Sequence, residues 1–157
     1  MPGVLVAGIG NIFLGDDAFG VEVVRRLSAE EVPPGVSVRD FGIRGLHLAF
    51  DLLDANYDLV ILVDAAPRGG KPGTVYLIEP ELSESTSPSD AHSMTPDAVL
   101  NSLRALGGKP GAIRIVGCEP ENVEEGMGLS APVEGAIGEA VKLIRELIAR
   151  EAVASNG

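Results

Sequence analysis

The 157-residue chain has one cysteine, no tryptophan and only 4% aromatic residues, and its 12 Lys and Arg are outnumbered by 23 Asp and Glu. A single thiol, Cys118, excludes an internal disulfide and suits a reducing compartment. The shortage of aromatics leaves the core to Val, Leu, Ile and Ala. A net charge of −11 disfavours nucleic acid and anionic membrane as partners, because both demand positive charge. It is compatible with a metal cation or a basic peptide as ligand. No apolar run approaches the roughly 20 residues that span a bilayer. Met1-Pro2-Gly3-Val4 enters a strand without a basic segment and an apolar leader. These absences predict a cytoplasmic protein with no nucleic-acid or membrane partner.

What is present is a packable globule, 45% hydrophobic. One domain over residues 1–153 is expected, with 154–157 as a frayed tail. Val4–Gly8 reads as a buried strand, and the apolar spacing of Phe19, Val23, Val24 and Leu27 predicts a helix from Asp17 to Ala29. Val36–Val38 is a second strand ending near Asp40, and Gly45–Ala55 a second helix. Asp58–Asp64 is apolar until its last residue, as in a parallel strand covered on both faces. The turn-rich Pro67–Gly73 is too short for a crossover helix, so Thr74–Ile78 is expected antiparallel to its predecessor. Pro80–Ser93 is a polar loop of a length that is usually functional. Thr95-Pro96-Asp97 opens a helix to Leu106, Ala112–Gly117 is a strand, and Cys118–Leu129 an acidic loop. Ser130, with Glu134 following, opens a last helix to about Ala152. The order βαβαββαβα points to an α/β three-layer sandwich: a twisted, mostly parallel five-stranded sheet with helices on both faces.

Gly8-x-Gly10 after the first strand invites a dinucleotide fingerprint, but position 13 is Phe13 where the third glycine would be required. Asp16 and Asp17 have an ordinary role available as helix caps. Capping needs one carboxylate, which leaves the other to face the crevice above the strand ends. Asp64, closing an apolar strand, sits where open α/β sheets bind ligands; its alternative role is to tie down the Pro67–Gly73 loop. His92 is a loop histidine, functional or solvated. His47, between Leu46 and Leu48, reads as exposed, and Cys118 as a small buried filler. Taken together, Asp17, Asp64 and His92 form a two-carboxylate, one-imidazole metal set suited to Zn, Ni or Mn, with coordination positions left open.

The chain carries Gly8-x-Gly10-Asn11, Gly15-Asp16-Asp17-x-x-Gly20, Asp40-x-Gly42-x-x-Gly45-Leu46 and Val63-Asp64-Ala65. It continues with His92-x-Met94, Val116-Gly117-x-Glu119-Pro120 and Gly128-Leu129-Ser130. In this order, over essentially the whole length, it resembles the hydrogenase maturation endopeptidases. Those enzymes remove a C-terminal extension from the precursor of a [NiFe]-hydrogenase large subunit after nickel insertion. The resemblance implies a peptidase with a twisted sheet flanked by helices, and places the family's metal positions on Asp17, Asp64 and His92. It implies a role for Asp40 in activity or substrate recognition. Asp40 or Asp16 is then the general base if the metal is only a recognition handle. The metal implied is nickel supplied by the substrate, with zinc or another divalent ion filling the same ligands in isolation. The partner implied is the large-subunit precursor, met by a monomer. Some members have Glu at the position of Asp17, and others have Gly and Thr where this chain has Phe41 and Ile43, which makes the Asp40 segment bulkier. Two other classes remain: a non-catalytic nickel-binding assembly chaperone, and, more remotely, a phospho-receiver module using Asp16, Asp17, Asp64 and Lys109.

Overall fold

The computed structural model describes residues 3–42, 57–79 and 112–156, with side chains through Glu151. Its elements are β1 (Val4–Ile9), a 3-10 turn over Gly15–Ala18, α1 (Phe19–Ser28), β2 (Val36–Gly42), β3 (Leu59–Ala65), β4 (Val75–Ile78), β5 (Ala112–Cys118), a short α2 (Ala131–Glu134) and α3 (Ile137–Asn156). The helices expected at 45–55 and 95–106, the 80–93 loop and His47 lie outside the described residues.

The strands form one sheet in the order β2-β1-β3-β5-β4. β1, β2, β3 and β5 run parallel, and β4 pairs antiparallel with β5. The sequence gives β4 its direction but not its neighbour. The chain leaves β3, skips the place that β5 later fills and lays β4 on the far side of β5, where its half-exposed side chains suit a sheet edge.

β1 is buried along its whole length and β3 nearly so, which is why both read as uninterrupted apolar runs. Their alternate residues feed two cores. On one face Val4, Val6, Ile61 and Val63 pack with Val23, Val24 and Leu27 of α1 and Ile144, Leu147 and Ile148 of α3. On the other Leu5, Ala7, Ile9, Val60 and Leu62 join Phe41, Ile113 and Ile115. Fully burying each such side chain favours folding by about 1.5–3 kcal/mol. Phe41 is 3% exposed. Its bulk therefore fills the second core and does not enlarge the surface beside Asp40.

α1 crosses the sheet at close range through Gly20. A Cβ built there would run into the backbone carbonyl oxygens of Val63 and Ile9. Backbone cannot yield as a side-chain tip can, so Gly20→Ala is expected to destabilise the protein by about 2–3 kcal/mol. Urea unfolding reads this directly, and a loss below about 0.5 kcal/mol would show that the helix lifts without cost.

Two helix starts differ from the sequence expectation. Asp17 lies in the 3-10 turn, and α1 begins at Phe19 with Ala18 at its cap and no side-chain capping bond. Ser130 precedes α2 but its side chain makes no capping bond either, and the last helical segment is broken at Gly135-Ala136 before α3. α3 then runs to Asn156, beyond the end expected near Ala152.

Candidate metal and peptidase site

β1 connects to β2 on one side of itself and is flanked by β3 on the other, so the chain reverses direction across the sheet between β1 and β3. In open α/β sheets the crevice beyond the carboxyl ends of such a strand pair is where ligands bind. Gly8 of β1 is in register with Val63 of β3 and with Asp40 of β2, so Asp64 and Asp40 flank the exit of β1.

Asp64 is 5% exposed, and its Oδ1 accepts the backbone N–H of Ala65 at 2.8 Å. A Cβ built on Gly10 would lie 3.7 Å from that same oxygen and against the backbone carbonyl of Asp17. Gly10 thus marks the point where the exit of β1 meets both aspartates. Asp17 is half-buried, and its Oδ2 accepts the N–H of Asn11 at 2.8 Å. Burial, and then the charge of Asp17, push the Asp64 carboxyl well above its ordinary 3.8. A buried carboxylate whose proton affinity is raised by burial and by a neighbouring carboxylate forms a site that a proton or a cation relieves. Their hard oxygens fit a divalent ion. Among the described residues no group of three His, Cys, Asp or Glu side chains is placed to hold a metal. His92, the third expected ligand, lies outside the described residues.

Asp40 is exposed at the end of β2, and its Oδ1 accepts the N–H of Gly42 at 2.7 Å. Gly42 takes a φ of 52°, in the left-handed region that a side chain disfavours, and its carbonyl accepts the N–H of Gly10 at 2.9 Å. The Asp-x-Gly pair therefore closes a turn that is fastened to the strand exit beside Asp17 and Asp64.

Asp16 points the other way. It is 1% exposed, and Oδ1 accepts the N–H of Ser130 at 2.7 Å. Its Oδ2 accepts the Ser130 hydroxyl at 2.8 Å and the N–H groups of Glu121 and Asn122 at 2.8 and 3.0 Å. Burial by itself raises its pKa. The bonds from Ser130, Asn122 and Glu121 outweigh that and hold the carboxyl below 3.8. This explains why Ser130 caps nothing: its hydroxyl is committed to Asp16. With its lone pairs filled by four donors, Asp16 is built to pin the 119–130 loop and not to exchange protons.

Glu119, to which the sequence motif alone assigns no task, performs the role held open for Asp64. It is 5% exposed, and its Oε1 accepts the N–H groups of Arg68 and Gly70 and the Tyr76 hydroxyl at 2.8, 2.9 and 2.7 Å. The tyrosine bond, helped by those backbone donors, lowers its pKa against the effect of burial. The 67–73 loop is thereby tied to β5, which leaves Asp64 to the crevice. Cys118 is fully buried as expected, with its thiol pushed up to about 11 by burial and then by the charges of Asp16, Glu119 and Glu139. A thiol so rarely ionised is no nucleophile.

The family described as "HycI: Hydrogenase maturation protease" matches residues 21–147 of the chain. The chain is 33% identical over 162 residues to the Hydrogenase 2 maturation protease of Escherichia coli (strain K12), covering 96% of this chain and 98% of that one. The structure of the hydrogenase maturating endopeptidase HybD from E. coli superposes with a TM-score of 0.77 at 31% identity, over 95% of this chain and 93% of the other. The hydrogenase 2 maturation peptidase from Thaumarchaeota archaeon SCGC_AB-539-E09 does so at 0.73 and 31%, over 94% and 98%. A receiver module is excluded by this kinship and by the antiparallel β4 on an edge where a receiver's sheet continues parallel. With the switch-point aspartates, the matched sequence and the shared fold in one molecule, the chain belongs to the hydrogenase maturation proteases, a family of endopeptidases.

Proposed function

We propose that this peptidase removes the C-terminal extension of a [NiFe]-hydrogenase large-subunit precursor after nickel has been inserted. The observation that carries the reading is the buried Asp64 beside Asp17 at the switch point of the sheet, a carboxylate pair that charge repulsion prepares for a cation. Nickel belongs to the substrate in this reading: it arrives seated in the client and is met by Asp17, Asp64 and His92. Zinc or another divalent ion can occupy the same ligands in the isolated protein. Such an ion, once held there, polarises a carbonyl or lowers the pKa of a water.

The chain's own groups do the rest. The Asn11 N–H orients Asp17, and the Ala65 N–H orients Asp64. Asp40, exposed on the rim and set by Gly42, is the carboxylate placed to take a proton from an attacking water. Asp16, the other candidate base, has its acceptor sites filled and is assigned to the scaffold. No helix among the described residues is long and apolar enough to cross a membrane.

The test is incubation with the cognate precursor in nickel-loaded and nickel-free forms, followed by intact-mass measurement. Loss of the C-terminal fragment from the loaded form alone is expected. Cleavage of both forms alike would remove the metal checkpoint, and cleavage of neither would leave the metal-binding chaperone as the better account.

A further inference from the structure

The loop that leaves β1 and the loop that follows β5 run side by side. Leu14 bridges Gly126, the Gly126 N–H donates to the Phe13 carbonyl, and the Gly15 and Asp16 N–H groups donate to the Gly126 and Asn122 carbonyls. This pairing displays large apolar side chains to solvent: Phe13 is 58% exposed, Met127 73% and Val123 48%. Met127 also lines a groove of about 490 Å³ whose walls combine Ile12, Leu129 and Ile137 with Glu22, Glu134 and Arg25. An ordinary surface scatters its apolar residues singly, whereas this one gathers them on two adjoining loops. Glu121, Glu124 and Glu125 are exposed on the second of those loops. The patch is joined to the candidate site, since Asn11 at its base donates to Asp17.

We propose that these paired loops dock a segment of the client precursor that carries both apolar side chains and Lys or Arg, and so present the scissile bond to the Asp17–Asp64 crevice. The proposal rests on the function proposed above and adds where and by what chemistry the client is gripped. Charge selects the occupant. A second copy of this chain, also at −11, would set its own glutamates against these, whereas a basic segment meets them with opposite charge and is steered in from a distance. The apolar side chains then supply the short-range affinity.

Steady-state processing of nickel-loaded precursor tests this with two surface variants, Phe13→Ser/Met127→Ser and Glu124→Lys/Glu125→Lys. Both remove exposed groups, so melting temperatures stay at the wild-type value. KM is expected to rise about tenfold in each, with kcat within about twofold. Raising the salt from roughly 0.05 to 0.5 M should raise the wild-type KM and leave that of the charge variant nearly unchanged. Unchanged KM in both variants overturns the docking surface while leaving the peptidase in place. A concentration-dependent dimer that the Phe13→Ser/Met127→Ser variant loses would show that the patch joins copies of this chain and overturn it too. If the wild-type protein processes no cognate precursor, the proposed function itself has failed and this surface falls with it.

Discussion

Asp64→Asn leaves a folded protein that has lost at least about a thousandfold of its processing activity. The substitution keeps the shape of the side chain, and the amide oxygen can still accept the Ala65 N–H. It removes the negative charge that, beside Asp17, would hold a cation in the crevice. Metal-assisted polarisation of a carbonyl or water is worth several kcal/mol at the transition state, and about 4 kcal/mol corresponds to a factor of a thousand. Asp17→Asn is expected to fall by a comparable factor, and the double variant by little more than either alone, because two ligands of one ion act as a unit. Full activity in Asp64→Asn would remove the carboxylate pair from the mechanism.

Stability moves in the opposite direction, which separates loss of function from loss of fold. Burial and the Asp17 charge place the folded-state pKa of Asp64 above its ordinary 3.8. The folded state therefore binds the proton more tightly than the unfolded chain, and the advantage is complete only at acid pH. As pH rises from about 4 through the folded pKa, stability is lost, because ionising the metal-free site leaves a buried charge unrelieved. Asn carries no such charge. Metal-free Asp64→Asn is expected to melt at or above the wild-type temperature at pH 7, and the difference should shrink on acidification. A variant that melts several degrees lower would mean that the carboxylate supports the fold and that its loss of activity has a structural cause.

The sheet was legible because its strands obey one rule from end to end. β1 and β3 are buried on both faces and read as unbroken apolar runs, and a carboxylate closing one of them had to lie at the sheet's ligand-binding edge. The division of labour among the carboxylates was not legible. Asp16 and Asp17 are neighbours with the same chemistry, and what separates them is contact with residues more than a hundred positions away at Glu121, Asn122 and Ser130. Local capping rules assigned the acids of the turn and Ser130 to helix ends, and tertiary partners took both. Glu119 was findable: it follows an apolar strand at the same edge as Asp64, and the reasoning applied to one applies to the other. The neighbour of β4 was beyond reach because a short turn-rich connection usually makes a hairpin, and only the later strand β5 supplies the alternative.

Asp16→Ala is expected to cost about 3–5 kcal/mol, enough to bring a domain of ordinary stability close to its unfolding threshold. Its carboxylate is buried, and its removal strands the N–H groups of Glu121, Asn122 and Ser130 together with the Ser130 hydroxyl, each of which had exchanged water for that acceptor. Asp16→Asn should lose a smaller amount, about 2 kcal/mol, because one oxygen remains while the amide N–H₂ meets donors it cannot satisfy. The pH dependence follows from the sign of the shift. A folded-state pKa held below 3.8 means that the stabilisation is present above the ordinary carboxylate range and is lost as pH falls through the folded pKa. The gap between wild type and Asp16→Ala in urea midpoint should therefore be widest near neutrality and narrow toward pH 2. Hydrogen exchange locates the damage: the Glu121, Asn122 and Ser130 amides lose protection first, because among the described residues Asp16 is their acceptor, while those of β1 and β3 report only the global loss. The same loosening releases the 119–130 loop from the Phe13 loop, so processing by the surviving folded protein should show a raised KM at temperatures well below its melting point. A loss under about 1 kcal/mol, or exchange that rises uniformly across the sheet, would show that Asp16 is not the pin that joins these loops.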